Sequence, residues 1–494
     1  MAYYEHPAMA LYDPTTLLDP SCFSFLYQSM PDERLLKDAP LSRRSTLPTN
    51  AVSLHFPKLT SLSVSNQDAI LMAAIGGAQL VPPVPPPLLK PVMSVLRMQS
   101  GQLPGEIPAS CIQLAPTIAA ELKDNTIEAG VPFIDRLLPH DRSPFTINKK
   151  LYATLANKSL YNLASNRFIP TTDYKEGTVC TWMNDIGKAM EDTYNVPIRR
   201  RWYHGTKTLP PGGSHFLLKP DIVLLDNAYF DIITGTASRV NWLQVRAFTE
   251  VTSEKATPQR MPTTIDAKSY VMLTYQFDRR FVLALSITGL SKYTVTLTDR
   301  EGQIRFHGSS LLDENRENAT TFLRILSFLM FGSLSDIGLD PHFITDLSSG
   351  AIVAVMVDNR RFEISQRLYT LENLLGRGTK VWVVKSNNEK YILKDSWVQG
   401  GHGSSEVTHL AAMLGHEQIR GFVPTLVCGG DVKIDGHDDW TGSYRSNLLG
   451  RPHNRRVHRR LITTPIGEPI TTFRSKREFI SVLMDIVQGR SFEF

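Results

Sequence analysis

Cysteine is scarce in this sequence, and the signals of secretion are missing. Only 4 cysteines occur among 494 residues, at positions 22, 111, 180 and 428, so no two have the C-x-x-C spacing of a zinc or dithiol site. The N-terminus, MAYYEHPAMALYDP, has neither the basic nor the apolar segment of a secretory signal peptide. These absences argue against a disulfide-rich secreted domain. We predict reduced thiols in an intracellular protein, either cytoplasmic or nuclear.

Long apolar helices and a strong net charge are missing as well. Residues 69–89 are uncharged, but prolines at positions 82, 83, 85, 86 and 87 stop any helix short of the ~20 residues that a membrane span needs. Such a run favours polyproline II, as a spacer or as a ligand for an aromatic groove. Lys plus Arg exceed Asp plus Glu by only 53 to 48, which is too small an excess to indicate nucleic-acid binding. We therefore expect neither a membrane nor a nucleic acid as a partner.

Residues 374–397, LLGRGTKVWVVKSNNEKYILKDSW, carry the strongest functional pattern in the chain. Gly376 and Gly378 lack a β-carbon, so the backbone between them can turn with positive φ and approach an oxyanion closely. β-branched and aromatic residues on both sides of the turn residues 386–388 predict a hairpin. Lys394 lies on the second strand of that hairpin.

A helix is predicted to follow this strand. Apolar residues recur from Val407 at i, i+3, i+4 and i+7, which is the spacing of one helix face. Ser404 or Ser405 can cap the helix, and Glu406 lies in its first turn. A Gly-x-Gly turn, a strand lysine and a helix with an early glutamate occur in this order in the nucleotide-binding lobe of protein kinases.

Several segments of the chain resemble the fungal-type protein kinase family, a divergent group of protein-kinase-like proteins. They are LGRGTKVW, YILKDSW, RRLITTPIGEPITTF and SKREFISVLMDIVQG, with LKPDIVLLD, EVTS and DRRFVLALSITG further upstream. The resemblance covers the chain from about Lys149 onward. It implies an ATP-dependent serine/threonine-type kinase that uses ATP and Mg²⁺ and has an unknown protein substrate or partner.

The resemblance also implies a nucleotide-binding set. It consists of the loop glycines Gly376 and Gly378, the loop valine Val383, the ATP-anchoring Lys394, its helix partner Glu406, and the hinge residues Thr464 and Gly467. We expect Lys394 and Glu406 to form an ion pair. One departure is visible in the loop, since Val381 stands where the family pattern has its third glycine.

Two aspartates needed for phosphate transfer are missing from the printed sequence. A kinase uses one in the catalytic loop to orient the attacking hydroxyl and another, in Asp-Phe-Gly, to hold magnesium. In the family the catalytic loop follows the helix that corresponds to residues 479–487, but here the sequence reads GRSFEF and stops. We predict a pseudokinase that transfers no phosphate as written. We interpret its end as a truncated product or a mistaken gene boundary.

A second constellation lies upstream, in a segment with the strand pattern of restriction-endonuclease-like folds. Strands are predicted within residues 217–226, 242–251 and 280–288. Asp221 and Glu250 stand where two carboxylates of such folds hold magnesium. Thr252 occupies the position of the usual lysine, and Lys255 is out of register because an odd spacing along a strand reverses the face.

Two interpretations of Asp221 and Glu250 stay open. They could serve a magnesium-dependent nuclease or nucleic-acid-binding protein, or they could end strands and accept backbone hydrogen bonds. A neutral Thr252 hydroxyl lacks the positive charge that stabilises a developing phosphorane. We therefore predict that this sheet does not cleave nucleic acid appreciably.

The predicted fold class is α+β. We expect an irregular, partly helical, Pro-rich region over residues 1–145 and a restriction-endonuclease-like mixed-sheet domain over 146–350. A protein-kinase-like N-lobe, an antiparallel sheet plus one helix, and the start of a C-lobe would then occupy 360–494. A further alternative is a non-catalytic interaction module. The basic run at 451–460, RPHNRRVHRR, is either a nuclear localisation signal or the lead into the hinge strand.

Overall fold

The structure, a computed structural model, describes residues 111–169, 171, 173, 175–205, 212, 214, 216–236, 238–253, 260–289, 292–400, 406–417, 421–445, 455–468 and 472–490. Most of them form one unit within residues 90–466, and residues 467–488 belong to a second unit. The predictions for residues 1–110, for Lys255 and for the capping residues Ser404 and Ser405 lie outside the described residues.

The larger unit contains two seven-stranded sheets. Up to residue 308, the strands are β1 (Thr126–Ala129), β2 (Tyr161–Asn162), β3 (Arg167–Phe168), β4 (Arg200–Tyr203), β5 (Ile222–Asp226), β6 (Val245–Thr252), β7 (Val282–Thr288), β8 (Lys292–Thr298) and β9 (Gln303–Gly308). The first sheet has the order β1-β9-β8-β7-β6-β5-β4, and β2 pairs only with β3.

The centre of the first sheet is buried because it is covered on both sides. Nearly every residue of β6 and β7 is buried, and these two strands run parallel, as expected for strands with packed elements on both faces. β1 and β9 form the other parallel pair. The three strands predicted within residues 217–226, 242–251 and 280–288 are all present, as β5, β6 and β7.

Seven helices accompany the first sheet in the part of the chain that the structure describes. They are α1 (Cys111–Leu122), α2 (Val131–Leu137), α3 (Lys149–Asn157), α4 (Glu176–Tyr194), α5 (Asn227–Thr236), α6 (Arg260–Tyr275) and α7 (Arg316–Phe331). α2, α3, α4 and α7 contribute to one hydrophobic core, whereas α1, α5 and α6 contribute to another. Two cores on opposite faces explain why most residues of the central strands are buried.

The second sheet is antiparallel throughout. Its strands are β10 (Phe343–Thr345), β11 (Ile352–Val357), β12 (Arg360–Thr370), β13 (Lys380–Ser386), β14 (Glu389–Gln399), β15 (Thr425–Asp431) and, after the short hairpin of β16 (Lys433–Ile434) and β17 (His437–Asp438), β18 (Arg456–Thr464). The order is β10-β11-β12-β13-β14-β18-β15. Helix α8 (Glu406–Gly415) follows β14, and α9 (Gly442–Arg445) precedes β18.

The hairpin predicted around residues 386–388 joins β13 to β14. Asn387 and Asn388 adopt φ of +51° and +67°, which is the left-handed pair that a tight two-residue hairpin requires. Asparagine tolerates this conformation better than most residues because its short side chain can hydrogen-bond locally. The turn therefore fixes the register that places Lys394 opposite Val381.

The observed class is α+β, but the first sheet begins earlier in the chain than predicted. β1 comes from residues 126–129 and pairs with β9, within the region 1–145 for which the sequence predicts irregular, partly helical structure and no strand. The four-residue strand is too short for periodicity to reveal it. No helix in the described part of the chain is long and apolar enough to cross a membrane.

The unit within residues 467–488 contains helix α10 (Lys476–Arg490) for most of its length. The helix that the family resemblance implies over residues 479–487 is therefore present. Val482 and Met484 are each 37% exposed, and Phe473 packs on Phe479 with ring centroids 5.0 Å apart.

Candidate functional site

Lys394 and Glu406 form a partly exposed ion pair on the second sheet. The Lys394 ammonium donates to Glu406 Oε1 at 2.6 Å, so the ion pair expected from the sequence is present. Glu406 is the first residue of α8, where a carboxylate also interacts favourably with the helix dipole. The two side chains are 30% and 32% exposed. A small ligand can therefore reach the pair from solvent.

Two other residues of the predicted nucleotide-binding set belong to the same sheet. Val383 lies two residues after Val381, the cross-strand partner of Lys394, so strand alternation puts Val383 on the face that carries Lys394. Thr464 is the last residue of β18 and pairs with Thr425. Gly467 belongs to the unit within residues 467–488, so the predicted hinge is divided between the two units.

Gly376 and Gly378 lie in the connection between β12 and β13, and both have positive φ, +103° and +48°. A β-carbon on Gly376 would meet no atom within 4 Å, whereas one on Gly378 would lie 2.5 Å from Arg300 Nε. Arg300 belongs to the turn between β8 and β9 of the first sheet. Glycine is therefore favoured at position 378 because the Arg300 side chain leaves no room for a β-carbon there. This reason does not involve a ligand.

The backbone of the glycine turn is bound by groups from α1 and from the turn between β8 and β9. Leu374 is fully buried in the core that contains α1 and α6. The Leu375 N–H donates to Glu121 Oε2 at 3.0 Å, and the Gly376 N–H donates to the Arg300 carbonyl at 2.9 Å. The Leu375 and Gly376 amides, which the sequence suggests as donors to an oxyanion, therefore donate to acceptors within the protein.

Asp221 and Glu250 come together at the first sheet. The Asp221 N–H lies 3.4 Å from Glu250 Oε1, and Asp221 Oδ2 accepts from the Val251 N–H at 2.8 Å. Lys268 of α6 completes the cluster, because its ammonium lies 2.5 Å from Glu250 Oε1, and both side chains are only 5% exposed. Sequence reasoning looked for this lysine along β6 and missed it on the helix. A lone lysine among the buried positions of α6 is the signal that could have revealed it.

The cluster of Asp221, Glu250 and Lys268 does not fit a magnesium ion. Burial raises the pKa of Glu250 to about 7, and the nearby Asp221 charge raises it as well. The Lys268 ammonium opposes this shift only in part. Mg²⁺ demands near-octahedral oxygen coordination and keeps its waters, but here one of two carboxylates already pairs with an ammonium. Within the described residues, no group of three or more His, Cys, Asp or Glu side chains is placed to hold a metal ion.

Buried charges link the two sheets, and sequence reasoning did not anticipate them. His458 of β18 hydrogen-bonds through Nδ1 to Asp439 at 2.9 Å and through Nε2 to Asp395 at 3.0 Å. Arg460 joins Asp395 at 2.9 Å to Asp340 at 2.6 Å. The second half of the basic run, residues 456–460, therefore belongs to β18, and its buried charges have partners.

These contacts fix the charge states inside the network. Although burial opposes a charged imidazole, Asp395 and Asp439 raise the pKa of His458 to about 9. Burial likewise opposes the Asp395 carboxylate, but Arg460 and His458 lower its pKa to about 2. Arg280 adds a further ion pair with Asp439 at 2.6 Å. At neutral pH the network is therefore fully ionised.

One comparison with known proteins gave a match. A family model described as fungal protein kinase matches residues 219–491, which includes most of both sheets and all the residues of the predicted nucleotide-binding set. No match to the chain was found among curated proteins or among solved structures.

Proposed function

Because this chain belongs to the fungal protein kinase family, we propose that its second sheet is a kinase-like N-lobe that binds ATP. The proposal rests on a single observation, the ion pair between Lys394 and Glu406. In protein kinases a strand lysine held by a helix glutamate contacts the nucleotide phosphates, and the chain order of hairpin, lysine strand and helix is the same here. The antiparallel neighbours of β14 support this assignment.

In this proposal the chain's own residues bind and orient the nucleotide. The Lys394 ammonium is a compact positive charge that suits phosphate oxygens, and Glu406 keeps the flexible lysine side chain extended towards α8. ATP would supply the phosphate ester, and its adenine would lie near the end of β18 at Thr464. Mg²⁺ would arrive with the phosphates, since no cluster of three or more His, Cys, Asp or Glu side chains among the described residues is placed to hold it.

We further propose that a polypeptide of these 494 residues transfers no phosphate. Transfer depends almost entirely on positioning and on charge stabilisation by the catalytic-loop aspartate and the metal-holding aspartate. Neither motif occurs in the printed sequence. The polypeptide would then act as a nucleotide-binding module with an unidentified protein partner.

Equilibrium titration with a fluorescent ATP analogue tests the binding proposal. Lys394→Ala should weaken binding by roughly tenfold or more, because a hydrogen bond to a charged group is lost. Lys390→Ala is the matched control, since Lys390 is an exposed lysine on the same strand. Binding that Lys394→Ala leaves unchanged, or a wild-type protein that binds no nucleotide, would refute the proposal.

For the first sheet we propose a restriction-endonuclease-like scaffold without nuclease activity. The meeting of Asp221 and Glu250 at adjacent strands supports the scaffold. The buried pairing of Glu250 with Lys268 supports the loss of activity, because the carboxylate is already neutralised. This sheet would then serve as the structural base of the second sheet.

A further inference from the structure

The glycine turn has an anionic partner of its own, the carboxylate of Glu121. Glu121 lies in the last turn of α1 and accepts from the Leu375 N–H at 3.0 Å. Backbone donors from Leu374 and Leu375 partly offset the burial that raises the pKa of this carboxyl. Successive backbone N–H groups in a turn form a concave site for anions. The carboxylate therefore lies where a turn of this type holds an oxyanion.

Neighbouring contacts hold both partners in place. Leu122 follows Glu121 and is 4% exposed in the same core as the fully buried Leu374, so α1 and the turn share one packed interface. Arg300 Nη1 donates to the carbonyls of Asn373 at 2.6 Å and Leu374 at 3.2 Å. The turn is thus held through its carbonyls by a guanidinium and through its amides by a carboxylate.

Arg300 is itself an unusual group. It is 2% exposed, its Nε has no hydrogen-bond partner among the described residues, and burial lowers its pKa to about 10. Its guanidinium donates to three backbone carbonyls, those of Asn373, Leu374 and Leu273. Among nearby charges, Glu121 does most to favour the cation. The structure therefore places one anion and one cation around a single glycine turn.

We propose that Glu121 is a tethered inhibitor, an internal anion that competes with nucleotide phosphates for the amides of the glycine turn. The inference rests on the proposed function, because it assigns regulation to the same nucleotide site. While α1 is docked, the turn keeps Glu121 as its anion, and nucleotide depends on Lys394 alone. Release of Glu121 frees the Leu375 amide for a phosphate oxygen.

The expected effect is a gain of affinity on removal of a carboxylate. Glu121→Ala should tighten binding of the fluorescent ATP analogue by roughly tenfold, the scale of one charge-assisted hydrogen bond. Glu121→Gln should give a smaller gain, because the amide oxygen still accepts from Leu375. Asp124→Ala is the matched control, since Asp124 is an exposed carboxylate just after α1. The double variant Glu121→Ala/Lys394→Ala should bind more weakly than Glu121→Ala, because the phosphates have then lost the Lys394 ammonium.

Amide hydrogen exchange provides a readout that does not need nucleotide. In Glu121→Ala the Leu375 amide should lose protection, whereas the Gly376 amide, bonded to the Arg300 carbonyl, should keep it and so report that the fold is intact. If Leu375 stays protected, the inference is wrong. The inference is also wrong if the wild type binds nucleotide in a Lys394-dependent way and Glu121→Ala binds it equally well or more weakly. The proposed function would survive that result. Absence of Lys394-dependent binding in every variant would overturn both.

Discussion

The protein contains two lysine–glutamate pairs with nearly the same geometry and very different surroundings. Lys268 and Glu250 lie 2.5 Å apart on the first sheet with 5% of each side chain exposed. Lys394 and Glu406 lie 2.6 Å apart on the second sheet with 30% and 32% exposed. Distance alone would assign the two pairs the same role, but burial separates them.

Burial decides what each pair can do. A buried pair has lost its hydration, and each partner is needed to neutralise the other. A pair in contact with water has weak mutual attraction, so its ammonium can be shared with an arriving phosphate. We therefore interpret Lys268–Glu250 as structural and Lys394–Glu406 as the ligand-binding pair.

The largest expected effect is on stability and concerns the buried pair. Lys268→Met should lower the free energy of unfolding by about 3 kcal/mol or more at pH 8, because it leaves Glu250 without its counter-ion. The loss should be smaller at pH 6, where Glu250 can take up a proton. Lys394→Met should cost at most about 1 kcal/mol. Urea denaturation of both variants measures the contrast, and equal losses would remove the basis of the comparison.

The next effect is a pH dependence of the free energy of unfolding, which comes from the buried network between the sheets. The pKa of His458 is raised to about 9, so between about 6.5 and 9 the folded state binds more protons than the unfolded state. This contribution to stability is complete below about pH 6.5 and is lost as pH rises through 9. At about 1.4 kcal/mol per pKa unit it is on the order of 3 kcal/mol.

Denaturation midpoints across this pH range test the network. Relative to His458→Gln, the wild-type midpoint should fall from pH 6.5 to pH 9, because glutamine does not titrate. Buried Lys380, whose pKa burial lowers to about 7, has the opposite pH dependence, but both proteins contain it. A wild-type midpoint that does not fall relative to His458→Gln over this interval would contradict the proposed charge state of His458.

The smallest expected effect is an absence of cleavage by the first sheet. Purified protein should not nick plasmid DNA with Mg²⁺, because Glu250 is paired with Lys268 and both are buried. Thr252 stands in β6 where such folds have a lysine, but Lys268 of α6 supplies an ammonium instead, so the prediction rests on the burial of the pair. Thr252→Lys should likewise stay inactive. Nicking that depends on Mg²⁺ and disappears in Glu250→Ala would show that Glu250 of the Lys268–Glu250 pair is catalytic.

Local patterns allowed much of the fold and the exposed pair to be predicted. Alternation and turn chemistry located β13 and β14, and helical spacing located α8, so the approach of Lys394 to Glu406 followed from elements adjacent in sequence. The register set by Asn387 and Asn388 then fixed which strand face carries the lysine.

Contacts between distant segments were not predictable in this way. Lys268 reaches Glu250 from a helix, and register arguments along β6 cannot find a partner that comes from another element. Glu121 lies more than 250 residues before Leu375, in a region for which the sequence predicts only irregular, partly helical structure. The His458 network likewise joins side chains from separate strands and turns, and a basic run in sequence does not reveal that its charges are buried.

Lysine acetylation with and without ATP, read by mass spectrometry, compares the two pairs in one sample. Lys394 should react in the free protein and be protected by saturating nucleotide, whereas Lys268 should remain unreactive in both states because it is buried. Lys390 is the internal control and should react equally with and without ATP. The central claim, that exposure makes Lys394 the nucleotide anchor, would be contradicted if ATP left the reactivity of Lys394 unchanged.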